Sequence, residues 1–151
     1  MFDIHRIRPH EGLQFRDIRL RALADAPRAF GTTLAEAQAQ TDAYWQQRAE
    51  SSAVSDTRFL AIASAGDEWV GVAGGMFDYD NSEVAEIISV WVDPEHRRSG
   101  MAAALVETVA DWAGDRGAKQ LHLWVTETNE PARRLYRRLG FAEMGARAVI
   151  Q

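Results

Sequence analysis

Residues 85–113 read AEIISVWVDPEHRRSGMAAALVETVADWA and contain the strongest structural pattern of the chain. Its first part, residues 85–92, is rich in Ile and Val and is followed by Asp93-Pro94, which predicts a buried strand. From Ala102 to Ala113 apolar residues recur at i, i+3, i+4, i+7 and i+8, which predicts an amphipathic helix. A short turn of basic and small residues joins the two, so a strand, a turn and a helix N-terminus follow one another directly.

The turn between this strand and this helix has the chemistry of an anion-binding site. The first amides of a helix have no partner inside the helix and lie at the positive end of its dipole. Gly100 and Ala102 allow an anion to approach the backbone closely, because neither carries a large side chain. Arg97 and Arg98 add positive charge. A merely solvated arginine pair would oppose the helix dipole, which favours the anion-binding interpretation.

Two common phosphate-binding patterns do not fit this turn. A nucleoside-triphosphate loop ends in Gly-Lys-Ser or Gly-Lys-Thr, and here Met101 follows Gly100. A dinucleotide-binding fold needs a second glycine and an acidic residue about 20 positions further on, in an early βαβ unit. The turn therefore belongs to a different class of phosphate site.

The chain before this unit begins with one strand and two helices. Residues 2–8 alternate as a short strand, and apolar residues over 13–24 indicate a first helix that a proline closes. A second helix is expected to run from Ala35 or Asp42 to Arg48.

Two further strands precede the strand at 85–92. Residues 58–64 and 68–77 flank the turn Ala65-Gly66-Asp67, which is typical of a hairpin. Another turn, residues 78–82, leads into the strand at 85–92. The three strands are therefore expected to be antiparallel neighbours.

Downstream of the central helix, the pattern changes to a strand and then to a last helix. Residues 120–125 predict a strand that is reached through a helix, so it should lie parallel to 85–92 in a right-handed crossover. The last helix begins near Pro131 and ends before Gly140. From Phe141 onward there is room for one more short strand.

The composition excludes several classes of protein. The chain has 151 residues, 46% of them apolar and 26% charged, which predicts a single domain over residues 1–151. No apolar run is long enough to cross a bilayer and the start lacks a signal peptide, so we expect a cytoplasmic protein without a membrane partner. The absence of cysteine excludes disulfides and thiol nucleophiles.

The net charge and the spacing of the histidines limit the classes of ligand that the protein is expected to bind. The formal net charge of −5 disfavours nucleic acid and favours a cationic small molecule or a basic peptide. None of the 4 histidines shares a helix face with another at ligand spacing, and there is no His-Glu-x-x-His, so no metal is predicted. A Gly-x-Ser-x-Gly nucleophile elbow is also missing.

Two separated motifs resemble those of the GNAT family of N-acetyltransferases. The stretch from Val90 to Ala102 resembles the family signature, whose core is Arg/Gln-x-x-Gly-x-Gly/Ala. In the family a second motif follows the next strand, an asparagine and, seven residues later, a helical tyrosine. Asn129 and Tyr136 have this spacing here. The order of elements from Phe2 to Phe141 is also similar to that of the family.

The resemblance implies a mixed α+β fold of three layers, in which helices flank a central mixed β-sheet. The implied order is one strand, two helices, three strands, a helix, a strand, a helix and a final strand. Family members usually end with two strands. This chain ends at Gln151 with room for one, so the usual last strand is expected to be absent. A second copy of the chain could cover the exposed edge, and a homodimer is one prediction.

The resemblance also implies roles in binding acetyl-CoA as a cosubstrate. The backbone of residues 90–92 would pair with the pantetheine arm, the backbone of residues 98–103 would hold the pyrophosphate, and Asn129 would bond to the cofactor. Tyr136 would lie beside the sulfur. The residues implied in cofactor binding are Val90, Trp91, Val92, Arg97, Arg98, Ser99, Gly100, Met101, Ala102, Ala103, Asn129 and Tyr136.

Acetyl transfer from a thioester to an amine needs a proton donor, an oxyanion donor and a neutral amine. Tyr136 is the candidate proton donor, and a backbone N–H near Val92 could polarise the thioester carbonyl. The candidate bases are Glu86, which is the first choice, and Glu83. The predicted function is therefore an acetyl-CoA-dependent N-acetyltransferase that moves an acetyl group to a primary amine by direct attack in a ternary complex.

Each of these side chains also has a purely structural interpretation. Tyr136 lies in a helical apolar stripe, and such stripes are usually buried as core. Asn129 has the position of a helix N-cap. Glu83 and Glu86 are more often surface residues than a catalytic pair, because acidic side chains usually face water.

Other functions and several acceptors fit the same sequence. One alternative is an acyl-CoA-binding sensor or interaction module without turnover, and another is an acyltransferase with a different acyl donor or acceptor. The acceptor is predicted to be a polyamine, an amine-bearing antibiotic or a basic peptide N-terminus. This prediction depends on acidic residues near the expected acceptor site, which are Asp25, Glu36, Asp78, Asp80 and Glu83.

Overall fold

The computed structural model describes residues 2–27, 30, 32–125, 128–144 and 147–150, with the backbone alone for 144 and 147–150. Its helices are α1 (Gly12–Asp25), α2 (Leu34–Gln38), α3 (Asp42–Val54), α4 (Met101–Asp115) and α5 (Glu130–Arg138). Its strands are β1 (Asp3–Arg6), β2 (Arg58–Ala65), β3 (Glu68–Phe77), β4 (Val84–Val92), β5 (Gln120–Leu123), β6 (Ala142–Met144) and β7 (Arg147–Ile150). The predicted loops at 25–33 and 126–130 include residues 28, 29, 31, 126 and 127, which lie outside the described residues.

The strands form one mixed sheet in the order β1-β2-β3-β4-β5-β7-β6. The predicted parallel pair is present: β4 and β5 pair from Val84 opposite Gln120 to Ile87 opposite Leu123. The other neighbouring strands are antiparallel. The central mixed β-sheet flanked by helices, which the sequence predicts, is confirmed.

Helix α4 packs on one face of this sheet, and small residues of β3 allow it to approach closely. Leu105, Val109 and Trp112 are buried there. A Cβ atom added at Gly71 would lie 2.9 Å from the Met101 sulfur, which shows that no side chain fits between helix and strand. The amphipathic stripe that the sequence predicts is therefore the face that holds α4 on the sheet.

Helices α1 and α3 cover the opposite face. Phe15 of α1 and Trp45 of α3 meet edge to face, with ring centroids 5.5 Å apart, and both are buried. They pack with Leu60 and Ile62 of β2, whose neighbours Phe59 and Ala61 point to the α4 side. This alternation gives the three-layer arrangement, because successive side chains of a strand point to opposite faces.

The expectation that the usual last strand is absent is wrong. Two strands follow α5: β6, which has 3 residues, and β7, which has 4. They pair with each other, and β7 also pairs with β5. The expectation assumed strands of ordinary length, whereas these two are short enough to share the remaining residues. The edge of β5 is therefore covered by the chain itself, and the structural reason for expecting a homodimer is removed.

The prediction of one helix starting at Ala35 or Asp42 combines two separate helices. Thr33 caps α2 in a capping box with Glu36, and Thr41 caps α3 by accepting a hydrogen bond from the Tyr44 N–H. Two capping threonines so close together start two helices. Strands β1 and β5 are also shorter than predicted, while β3 has the predicted bounds.

Gly75 is predicted to be essential for the packing of α4. A Cβ atom there would lie 2.6 Å from Val109 Cγ1 and 3.1 Å from the Trp112 ring. We expect Gly75→Ala to lower the free energy of unfolding by about 1–3 kcal/mol, because the helix must move away from the strand. Denaturant unfolding measures this change.

Gly114→Ala is the matched control. Gly114 lies within α4, and an added Cβ atom meets nothing within 4 Å. The control should raise the free energy of unfolding by about 0.5–1 kcal/mol, because alanine favours a helix interior. Equal stability changes in the two variants would contradict the packing account.

Candidate active site

A cleft opens where β4 and β5 separate. The two strands pair only as far as Ile87 and Leu123, although β4 continues to Val92. The space between them is about 230 Å³. Its lining residues come from β4, from the end of β5, from α5 and from the loop after α1: Ile87, Ile88, Ser89, Val90, Leu123, Trp124, Val125, Asn129, Ala132, Tyr136 and Phe30.

A β-bulge in β4 lies beside this cleft. The register with β3 shifts between Val72, which pairs with Trp91, and Gly74, which pairs with Ile88. Ser89 adopts a positive φ of 58°, a backbone conformation that is rare for residues other than glycine. Bulges of this kind redirect the backbone of a strand. The bulge was not predicted, because nothing in the sequence around Ser89 distinguishes it from a regular strand.

The cleft-side edge of β4 beyond Ile87 has no strand partner among the residues the structure describes. Backbone N–H and C=O groups on such an edge can pair with an extended ligand, as another strand would. Val90 lines the cleft, and Trp91 and Val92 follow it on the same strand. The geometry therefore agrees with the predicted pairing of residues 90–92 with a pantetheine arm, which stays a prediction.

The turn after β4 leaves the start of α4 open. Gly100 is the N-cap residue with φ 83°, and its lack of a side chain leaves the first helical amides without a side-chain cap. Arg98 also has a positive φ, 64°, and is exposed. Successive backbone amides in such a turn form a concave site for anions. The residues Ser99, Gly100, Met101, Ala102 and Ala103, which the sequence assigns to the pyrophosphate, all lie at this turn or in the first turn of α4.

The two neighbouring arginines of the turn do not have the same surroundings. Arg97 turns toward α1, where its Nη2 atom lies 2.6 Å from Asp25 Oδ2 and its Nε atom donates to the Val92 carbonyl. The Trp91 indole donates to the same Asp25 oxygen at 2.9 Å. Both arginines are exposed to solvent, but Arg97 uses its guanidinium to hold the turn against α1.

A second ion pair ties the same two elements together. Arg21 of α1 donates to Asp93 Oδ2 at 2.7 Å and to the Trp69 carbonyl at 2.7 Å. Its guanidinium also lies 5.5 Å from the centre of the Trp91 ring. Asp93 caps the short 3-10 turn Pro94–His96 by accepting from the Glu95 N–H. The turn that begins at Asp93 is therefore held on α1 at two points.

Tyr136 and Asn129 lie together in the cleft, and each also has a structural role. Tyr136 is buried, and its ring meets Phe141 edge to face at 5.8 Å. Burial raises the pKa of the Tyr136 phenol to about 12, so it stays protonated at neutral pH. Asn129 caps α5 by accepting from the Ala132 N–H at 3.2 Å. The structural and the functional interpretations of both residues are therefore compatible.

The structure separates the two candidate bases. Glu83 precedes β4, is exposed and forms an ion pair with Lys119 at 3.3 Å. Glu86 is half-buried within β4, one residue before the last pair that joins β4 to β5. Its neighbour across the parallel pair is His122. The spacing of the histidines in the sequence predicts no role for His122. Its position on the strand parallel to 85–92 was the signal that could have placed it beside Glu86.

The fold is a mixed β-sheet flanked by helices, and its cleft lies where two parallel strands separate. These two features together define the class of protein. The chain belongs to the acetyltransferase (GNAT) family, whose model matches residues 20–141. Streptothricin acetyltransferase of Streptomyces lavendulae is 37% identical over 102 residues, which are 68% of this chain and 53% of that protein. The chain thus spans about half the length of this curated relative.

Solved structures share the fold at low sequence identity. The acetyltransferase of the GNAT family from Streptococcus pneumoniae aligns with a TM-score of 0.83 at 18% identity, over 96% of this chain and 87% of that one. The Salmonella typhimurium protein yncA, solved with its cofactor acetyl-CoA, aligns with a TM-score of 0.81 at 15% identity, over 99% and 93%.

Two features are absent from the part of the chain that the structure describes. No helix there is both long and apolar enough to span a membrane. Nor do the described His, Asp and Glu residues form a group of three or more that could hold a metal ion. The cytoplasmic location stays a prediction.

The hydrogen bonds that Trp91 and Arg97 donate to Asp25 are predicted to make the free energy of unfolding depend on pH. The Trp91 indole, and then Arg97, hold the pKa of Asp25 below its usual value, although burial opposes them. The stabilisation is therefore present above about pH 4 and is lost as pH falls through the folded-state pKa. We expect Asp25→Asn to lose about 0.5–1 kcal/mol of unfolding free energy at pH 7, and little near pH 3.

The control is Asp17→Asn, at an aspartate of the same helix whose side chain is 65% exposed in its pair with Arg16. Its effect on unfolding free energy should be close to zero at both pH values. Thermal unfolding at pH 7 and pH 3 measures both variants. A loss for Asp25→Asn that persists undiminished at pH 3 would contradict the account.

Proposed function

We propose that this protein is an acetyl-CoA-dependent N-acetyltransferase, which moves an acetyl group from CoA to a primary amine by direct attack in a ternary complex. The observation that carries the proposal is that three features follow one another along β4 and α4. They are the cleft beside Tyr136, the open edge of β4 and the uncapped start of α4. Such a succession fits a ligand with a small reactive end, a flexible amide arm and a pyrophosphate.

The residues of these three features fit acetyl-CoA. The amides of residues 98–103 would hold the pyrophosphate, helped by the exposed Arg98, and the backbone of residues 90–92 would pair with the arm. Asn129 lines the cleft. When bound, acetyl-CoA supplies the acetyl group already activated as a thioester. In this assignment Arg97 positions the turn through Asp25 and Val92.

Tyr136 would assist the departure of the thiolate by donating a hydrogen bond. Its raised pKa keeps the proton on the phenol over the whole working range of pH. That pKa lies about 3.5 units above a thiol value of about 8.5, so complete proton transfer would be uphill. A hydrogen bond that strengthens as negative charge develops on sulfur needs no such transfer.

Glu86 would accept the proton of the attacking amine, directly or through water. An ammonium group cannot attack a carbonyl, so the acceptor must lose a proton at the site. Glu86 lies two residues from Ile88 on the same face of β4, and Ile88 lines the cleft. Glu83 is exposed and engaged by Lys119, which favours Glu86 as the base.

The acceptor is proposed to be an amine-bearing small molecule with positive charge. The similarity to streptothricin acetyltransferase supports an antibiotic-type amine, while polyamines and peptide N-termini remain open. Three of the acidic side chains that suggested a cation have partners within the protein. Asp25 binds Arg97, Glu36 completes a capping box, and Glu83 pairs with Lys119.

A sensor that binds acyl-CoA without turnover is the second candidate. The presence of both Tyr136 and Asn129 in the cleft disfavours it, because a sensor has no need of a proton donor beside the sulfur. An acyltransferase for long acyl chains is disfavoured by the small cleft of about 230 Å³. The absence of a nucleic-acid partner stays a prediction from net charge.

Gly100 is predicted to be required for CoA binding. A methyl group there would meet the ligand where the pyrophosphate approaches the backbone, and alanine is strained at φ 83°. We expect Gly100→Ala to weaken CoA affinity at least tenfold, measured by calorimetric titration. Gly117→Ala is the control, because Gly117 has a similar φ of 96° at the other end of α4. If both variants bound CoA as the wild type does, the anion site would be misplaced.

Glu86→Gln and Glu83→Gln are predicted to separate the two candidate bases. Loss of a general base costs about 10²–10⁴-fold in rate, so we expect Glu86→Gln to lower kcat by at least 10²-fold with CoA affinity unchanged. Glu83→Gln should remain within twofold of the wild type. Thiol release with an active amine measures both. The reverse order of effects would assign the base to Glu83.

A further inference from the structure

Four half-buried side chains form a row across the middle of the sheet. Arg58 of β2 pairs with Met76 of β3, Met76 pairs with Glu86 of β4, and Glu86 pairs with His122 of β5. Residues directly opposite each other on paired strands project to the same face. The candidate base therefore lies in a continuous row of side chains that crosses four strands.

The row faces the side of the sheet that α1 and α3 cover, but it lies beyond these helices. Leu60 and Val72, which alternate in phase with the row, are buried in the core beneath α1 and α3. The four members of the row are only partly buried. α3 ends at Val54, before the chain enters β2 at Arg58. The row is therefore the floor of an open groove.

A second and larger cavity lies at the β2–β3 end of this groove. Its volume is about 590 Å³, more than twice that of the cleft. Two members of the row, Arg58 and Met76, are part of its wall. At the other end, Ile88 and Trp124 lie two residues beyond Glu86 and His122 and line the cleft. Glu86 thus lies between the two cavities.

The larger cavity has the chemistry to bind a polar group of a ligand. The charged and hydroxyl-bearing residues of its lining are Asp56, Thr57, Arg58, Asp78, Ser82 and Arg116, of which Arg116 and Asp56 form an ion pair at 3.6 Å. Tyr79 also lines it and is 89% exposed, so its ring is available for contact. Such a set of donors, acceptors and an aromatic ring suits hydroxyl and ammonium groups.

The spacing of the residues in the row gives the length of a ligand that could reach from Glu86 into the larger cavity. Adjacent strands lie about 4.8 Å apart and a strand rises about 3.4 Å per residue, so the Cα atom of Glu86 lies about 10 Å from that of Arg58 and about 8 Å from that of Asp78. A short monoamine that reacts beside Glu86 can reach Met76 but not the polar residues of the cavity. A longer amine can react at one end while its other end lies near Asp78.

We propose that the larger cavity is the second half of the acceptor site. On this proposal, which rests on the proposed acetyl transfer, the acceptor is an extended amine with a second hydroxyl or ammonium group about 8–10 Å from the amine that is acetylated. The reacting amine lies at Glu86, the chain of the acceptor passes over Met76, and the far polar group binds Asp78 and Tyr79.

The test compares three acceptors of equal length: 8-amino-1-octanol, 1,8-diaminooctane and octylamine. The first two carry a far polar group and the third does not. We expect the first two to have at least tenfold lower KM than octylamine, with similar kcat. Asp78→Asn should raise the KM of the two bifunctional acceptors about tenfold and Tyr79→Ala about threefold, while the KM of octylamine stays unchanged.

Asp111→Asn, at an exposed position of α4, is the control and should change no KM. Tyr79→Ala guards against a folding effect of Asp78→Asn, because Asp78 also accepts from the Asp80 N–H. The same three amines titrated into CoA-saturated protein test the groove without turnover. Equal KM values and equal affinities for all three would overturn the proposal. Thiol release from none of them, with the affinity difference intact, would instead contradict the proposed acetyl transfer alone.

Discussion

The separation of β4 from β5 after Ile87 and Leu123 is the feature on which the rest of the structure depends. If β4 and β5 paired over their whole length, no cleft would open between them. If they did not pair at all, they would not lie side by side to line one cleft. The bulge at Ser89 and the short length of β5 open the strands at the point where Tyr136 enters from α5. β7 then pairs with the far side of β5, so the strand beside the cleft keeps a partner although it has left β4.

The open edge of β4 can bind an extended ligand in a defined position only if the turn after β4 is fixed relative to it. Two contacts with α1 do this, Arg97 with Asp25 and Arg21 with Asp93, and Trp91 packs between them. Both pairs are partly exposed, so each adds little stability by itself. Their value lies in position: the start of α4, the edge of β4 and the end of α1 are fixed relative to one another. The same α1 carries the chain toward Phe30, which lines the cleft.

Much of this could be predicted from the sequence, because the strand, turn and helix of residues 85–113 each carry a strong local signal. The parallel pairing followed from the connecting helix, and the capping role of Asn129 followed from its position before Pro131. The final hairpin could not be predicted, since strands of three and four residues leave almost no periodicity. The different orientations of Arg97 and Arg98, and the pairing of Glu86 with His122, depend on the register and on backbone angles that tertiary packing sets.

A crystal structure of the complex with CoA would show whether the cleft between β4 and β5 holds the reactive end of acetyl-CoA. We expect the pyrophosphate on the amides of residues 98–103, the arm along residues 90–92 and the sulfur within hydrogen-bonding distance of the Tyr136 hydroxyl. CoA bound elsewhere on the sheet, or bound at the turn with its sulfur directed away from Tyr136, would rule out this role of the cleft.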